Sequence, residues 1–96
     1  MAQVEFSYNG VSTIVQCNLN EKMKDIFQKF KEKAQVGNKN IFYSYDGKVG
    51  INEESTFEGV ANSEDKRRNK MNVIWIIIIN LSKKINMNYY SIWKWI

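Results

Sequence analysis

Asn9-Gly10 stands between two alternating segments, and no other feature narrows the folding options of this chain so far. Val4, Phe6 and Tyr8 alternate with Glu5 and Ser7, the period of a strand with one buried face. Asn-Gly tolerates the two positive φ angles of a type I′ turn, so the chain should reverse there and return over Val11–Cys17. On the return, Val11, Thr13, Val15 and Cys17 share one face and Ile14 takes the other. A helix is expected from Glu21 to about Gln35. Met23, Ile26, Phe27, Phe30 and Ala34 recur at helical spacing, while Lys22, Lys24, Asp25, Lys29, Lys31, Glu32 and Lys33 take the opposite face. Asn20 is the expected N-cap, and Gly37 the left-handed residue that stops the helix.

Beyond the helix, Ile41, Tyr43 and Tyr45 alternate with Phe42 and Ser44, and Asp46-Gly47 marks a second turn. Two of the three aromatics there are assigned to the core and Phe42 to the surface. Val49 and Ile51 are expected as a short strand or as core anchors. Phe57 and Val60 should plug the core beneath a short turn of helix or an irregular loop. Asn62 to Asn69 is expected as a charged loop and Met71–Trp75 as the closing strand.

Hairpin, helix, further strands: this order resembles the ubiquitin-like family over roughly residues 3 to 75. The resemblance rests on the Asn9-Gly10 hairpin, the Met23, Ile26 and Phe30 stripe, and Ile-Phe-Tyr-Ser-Tyr-Asp-Gly-Lys at 41–48. Thr56-Phe57 and Met-Asn-Val-Ile-Trp at 71–75 complete it. It implies an α+β, ubiquitin-like β-grasp fold, a mixed sheet packed against one amphipathic helix. It also implies a protein-interaction module that binds partners, including those of the ubiquitin pathway, through an apolar patch on the sheet. The matching outward positions are Phe42 or Ser44, with Ile74; a one-residue slip of register would exchange the faces. Lys48 follows the turn glycine as one of ubiquitin's chain-forming lysines does. The last glycine is Gly59, and Trp75-Ile76-Ile77-Ile78-Ile79 stands where a conjugated relative would carry a flexible tail ending in Gly-Gly. A non-conjugated module is expected.

Composition closes other routes. Without histidine the chain lacks the commonest general base and the commonest zinc ligand. Cys17, the sole cysteine, has no base to activate it and reads as an inert core residue. The adjacent Glu53 and Glu54 do not converge as paired catalytic acids must. No enzyme, metal or cofactor is expected. Residues 1–73 carry eleven Lys or Arg against ten Asp or Glu, so the net charge of +4 sits mostly in the last stretch. With Glu64 and Asp65 directly before it, Lys66-Arg67-Arg68 reads as a solvated loop rather than a nuclear or nucleic-acid patch.

The chain divides into a domain over 1–76 and a hydrophobic, basic tail over 77–96. Val73 to Ile79 is too short to span a bilayer, which takes about 20 apolar residues. Leu81, Ile85, Tyr89, Ile92, Trp93 and Ile96 form a rough helical stripe accompanied by lysines, the chemistry of a helix lying on a membrane surface. A peripheral membrane protein anchored by that stripe is therefore the alternative function. An extended or disordered tail and a gene-model remnant stand beside it. A lone cysteine and the absence of a secretory apolar stretch point to a cytoplasmic or nuclear setting.

Overall fold

The computed structural model describes residues 1–37 and 39–78. Among them five strands and three helices follow in order. These are β1 (Ala2–Tyr8), β2 (Val11–Cys17), α1 (Met23–Ala34), β3 (Asn40–Tyr45), β4 (Lys48–Val49), α2 (Phe57–Val60), α3 (Ser63–Arg68) and β5 (Lys70–Ile78). The sheet order is β2-β1-β5-β3-β4, with β1 and β5 parallel and the other neighbours antiparallel. With α1 packed on one face, this is the expected ubiquitin-like β-grasp architecture. The tail residues 81–96 and the stripe read there lie outside the described residues.

Two tight turns set the registers. Asn9 and Gly10 take φ values of 52° and 84°, and Asp46 and Gly47 take 52° and 78°. Both pairs have the two positive angles of a I′ turn, whose twist suits the flanking strands. The first turn closes on Tyr8 opposite Val11, and the second on Tyr45 opposite Lys48.

Alternation then sorts each strand between the two faces of the sheet. Val4 and Phe6 from β1, Val15 and Cys17 from β2, Tyr43 and Tyr45 from β3, and Met71 and Val73 from β5 point toward α1 and are buried. The helix answers with Met23, Ile26, Phe27 and Phe30. Phe6 stacks on Phe30 at 4.3 Å between ring centroids, and Phe27 lies parallel to Tyr43 at 3.8 Å. Each fully buried large side chain contributes on the order of 2 kcal/mol before its ordering entropy is subtracted. Phe57 from α2 closes the core from below, with Val60 half-buried at its side.

Several local expectations are corrected. α1 begins at Met23 rather than Glu21, and its N-cap is Lys22, which makes no side-chain capping bond. Asn20 is not used because the loop before α2 supplies the acceptors: Ser55 C=O takes the Met23 N–H at 2.7 Å and Glu53 C=O takes the Lys24 N–H at 3.0 Å. At the other end Gln35, not Gly37, is the left-handed cap, with φ of 57°. The charged segment from Asn62 to Asn69 is helical over Ser63–Arg68. Asn62 accepts from the Asp65 N–H, Glu64 and Asp65 lie in the first turn, and Arg67 and Arg68 pair back onto them. Val49 belongs to a strand but is no core anchor, since it is exposed; Ile51 does pack on the core. Finally, β5 runs three residues past Trp75, with Ile77 opposite Ile41 and Ile78 opposite Asn40.

Candidate functional site

No described residue covers the face of the sheet away from α1, and its side chains divide into two halves. Over β1 and β2 it is mainly polar: Gln3, Glu5, Ser7, Ser12 and Gln16 point outward, with Ile14 standing alone among them. Glu5 reaches Lys70 at 3.7 Å across that half. Lys70 and Asn72 at the start of β5 continue that polar half; from Ile74 onward, over β5 and the facing parts of β3 and β4, the face is mainly apolar. Register sets Val49, Ser44 and Ile74 in one row across three strands, with Phe42 and Ile76 paired in the next. Phe42 is 54 % exposed, Ile74 58 %, Ile76 44 % and Val49 69 %, far above what a core position shows. Four large apolar groups thus surround a half-buried serine on a flat surface.

Phe42, Ser44 and Ile74 therefore share one face, so Phe42 and Ser44 are not alternatives; both look outward. Lys48 is exposed but stands opposite Tyr45, which turns its ring to the α1 side. Val49 is the β4 residue that faces outward beside Ser44. Val49 and Ile76 were missed by sequence reasoning. The first was recoverable, because a two-residue turn at Asp46-Gly47 makes Ser44 the partner of Val49. Ile76 was not, because Val73–Ile79 is apolar on both parities and carries no alternation to read.

Behind the patch, Tyr45 fixes β3 to the segment that leads into β5. Its hydroxyl donates to the Asp65 carboxylate at 2.7 Å and accepts the Asn62 N–H at 2.8 Å. Burial first, and the hydrogen bond and charge of Asp65 after it, push the phenol up to about 12, against the Asn62 N–H. Tyr43, two residues earlier, has no such partner: its buried hydroxyl makes no hydrogen bond among the described residues.

The residues weighed for chemistry fall into structural roles. Cys17 is buried, and burial together with the nearby Glu21 charge raises its thiol to about 11, leaving it protonated at neutral pH. Glu54 holds Lys22 at 3.2 Å and Lys24 at 3.4 Å, which keep its carboxyl below the usual range. Arg67 and Arg68 are paired with Glu64 and Asp65. Among the described residues no group of three Asp, Glu, Cys or His side chains is placed to hold a metal ion. The described part of this face offers contact surface rather than reactive groups.

No protein-family model and no curated protein matches the chain. Among solved structures it is similar to the crystal structure of ATBAG1 in complex with HSP70, with a TM-score of 0.63 and 14% identity. The match covers 98% of this chain and 48% of that one, so the chain spans about half the length of the solved chain. At that identity the likeness concerns architecture. Together with the strand order and the helix on one face, it establishes that this chain has a ubiquitin-like β-grasp fold.

Proposed function

We propose that the domain is a protein-interaction module. It docks partners on the outer face of β3, β4 and β5, through Phe42, Ser44 and Ile74 with Ile76 and Val49 around them and Lys48 at the margin. The observation that carries this reading is the exposed apolar half of an otherwise polar sheet face, a contrast that marks contact surfaces rather than chance exposure. The similar fold of a solved chain that takes part in a protein complex is in keeping with it. A shallow patch of this size suits weak, exchangeable binding at about micromolar affinity. Receptors of the ubiquitin pathway, in a cytoplasmic or nuclear setting, are the first partners to test. Conjugation of the domain itself is not part of the proposal, because Trp75–Ile78 is built into the sheet.

Chemical-shift mapping on the full chain is the test. Ubiquitin-pathway receptors and fractionated lysate are titrated in, and the backbone amides of Phe42, Ser44 and Ile74 are followed. Movement of these amides, abolished by Ile74→Asp, is the expected result. If partners bind while these amides stay still, the face is wrong; if none binds, so is the function.

A further inference from the structure

A recess lies on the other side of β3, between that strand and α1. It is a groove of about 680 Å³ with Phe27 and Tyr43 in its wall and Ile41 along its strand edge. In an antiparallel ladder both backbone groups of a residue point to the same side. The Tyr43 C=O accepts from the Gly50 N–H at 3.1 Å, on the side away from β5. The N–H and C=O of Ile41 therefore point outward as well. β4 pairs only with Ser44 and Tyr45, and no described residue bonds to Ile41 on that side. Among the described residues, the beginning of β3 is thus a strand edge without a partner bordering a groove, the arrangement in which an added strand finds backbone partners.

One further observation defines the occupant. Lys31, in the last turn of α1, and Lys39, just before β3, both line the groove at the same end. Neither has a carboxylate within ion-pair distance among the described residues, whereas Lys24, at the helix N-terminus, is already held by Glu54. Asp25 and Glu53 lie toward that opposite, helix N-terminal end. Tyr43 lines the groove with its ring, while its hydroxyl oxygen is closed off from the surface. Two cations at one end, with no carboxylate partner among the described residues, call for acidic groups in the occupant.

We infer that the β3–α1 groove receives an extended acidic segment of a partner protein, added as a strand along Lys39–Tyr43 with its carboxylates at Lys31 and Lys39. This site is independent of the outer sheet face, although Phe42 borders both.

The test is selection from a random-peptide display library against the full chain carrying Ile74→Asp, which removes the sheet-face patch from play. Selected peptides are expected to be rich in Asp and Glu and free of proline over the bound stretch. They should shift the Ile41 and Tyr43 amides. Their binding should weaken by about tenfold or more in the Lys31→Glu/Lys39→Glu double variant, since opposing charges become like charges. The inference is overturned if no peptide is enriched, if neutral or proline-bearing peptides bind equally well, or if the shifts avoid Ile41 and Tyr43. It is likewise overturned if those amides move with protein concentration alone, which would make the occupant a second copy of the chain.

Discussion

Removing one oxygen atom from Tyr45 and one from Tyr43 should move stability in opposite directions, although the two phenols lie on the same strand and the same face. In Tyr45→Phe the domain loses a hydrogen bond to a carboxylate and leaves the Asn62 N–H without its acceptor. A bond to a charged group is worth about 1.5–3 kcal/mol, and an orphaned part-buried donor adds to the loss where water cannot reach it. Because water can partly replace the hydroxyl beside Asp65, about 2 kcal/mol is the expected net cost. For a domain of this size that corresponds to a fall in Tm of about 10 °C. In Tyr43→Phe the hydroxyl that disappears is desolvated and has no partner among the described residues, so the change should lie between neutral and about 1 kcal/mol stabilising. Urea unfolding of both variants, followed by far-ultraviolet circular dichroism, measures the midpoints with the slope as an internal control. A Tyr43→Phe domain as unstable as Tyr45→Phe would refute the hydrogen-bond assignment of both residues.

Three further outcomes are expected. Phe6→Ala should cost about 3–5 kcal/mol and bring the domain close to unfolding, because Phe6 sits between Phe30, Phe27 and Tyr43; calorimetry reads this directly. At alkaline pH, stability contributed by the buried neutral forms of Cys17 and Tyr45 is complete below their ordinary values of 9.0 and 10.0. It is lost as pH rises through about 11 and about 12, so the urea midpoint should fall over that window, and Cys17→Ala should flatten its lower part. At the acid end, burial works against ionisation of Glu21, but Lys29 at 2.6 Å and the Asn18 N–H hold its carboxyl below the ordinary 4.5. Its contribution is therefore present above pH 4.5 and lost as pH falls through the lowered value, and Glu21→Gln should make the acid limb shallower in the same assay.

Much of the architecture was written in short-range chemistry. Asn9-Gly10 and Asp46-Gly47 specify their turns by backbone conformation alone, and the Phe27 and Phe30 stripe specifies which side of α1 is buried. What was illegible depended on distant parts of the chain. Asn20 is an able capping residue, but the carbonyls of Glu53 and Ser55 arrive first from a loop thirty residues away. α3 was hidden because Ser63–Arg68 has no apolar stripe; it is held by capping and by pairs between side chains three apart. The candidate face was half legible. Alternation separates Phe42 and Ser44 from Tyr43 and Tyr45, yet nothing in the run from Val73 onward says which isoleucines look outward until β3 and β1 fix the register of β5.

The pairing of β1 with β5 has a consequence in time. Gln3 lies beside Lys70 and Ser7 beside Ile74, so β5, which fills the centre of the sheet, is the last of the described strands to be synthesised. The β1–β2 hairpin and α1 can form as they leave the ribosome, but β1 keeps one bare edge until β5 follows. Such long-range closure is slow, and the waiting intermediate is exposed to association. A chain interrupted anywhere before Lys70 would carry Phe6 and Tyr43 on strands with nothing between them. Arrival of the closing strand, rather than formation of the hairpin, is what completes the sheet and its core.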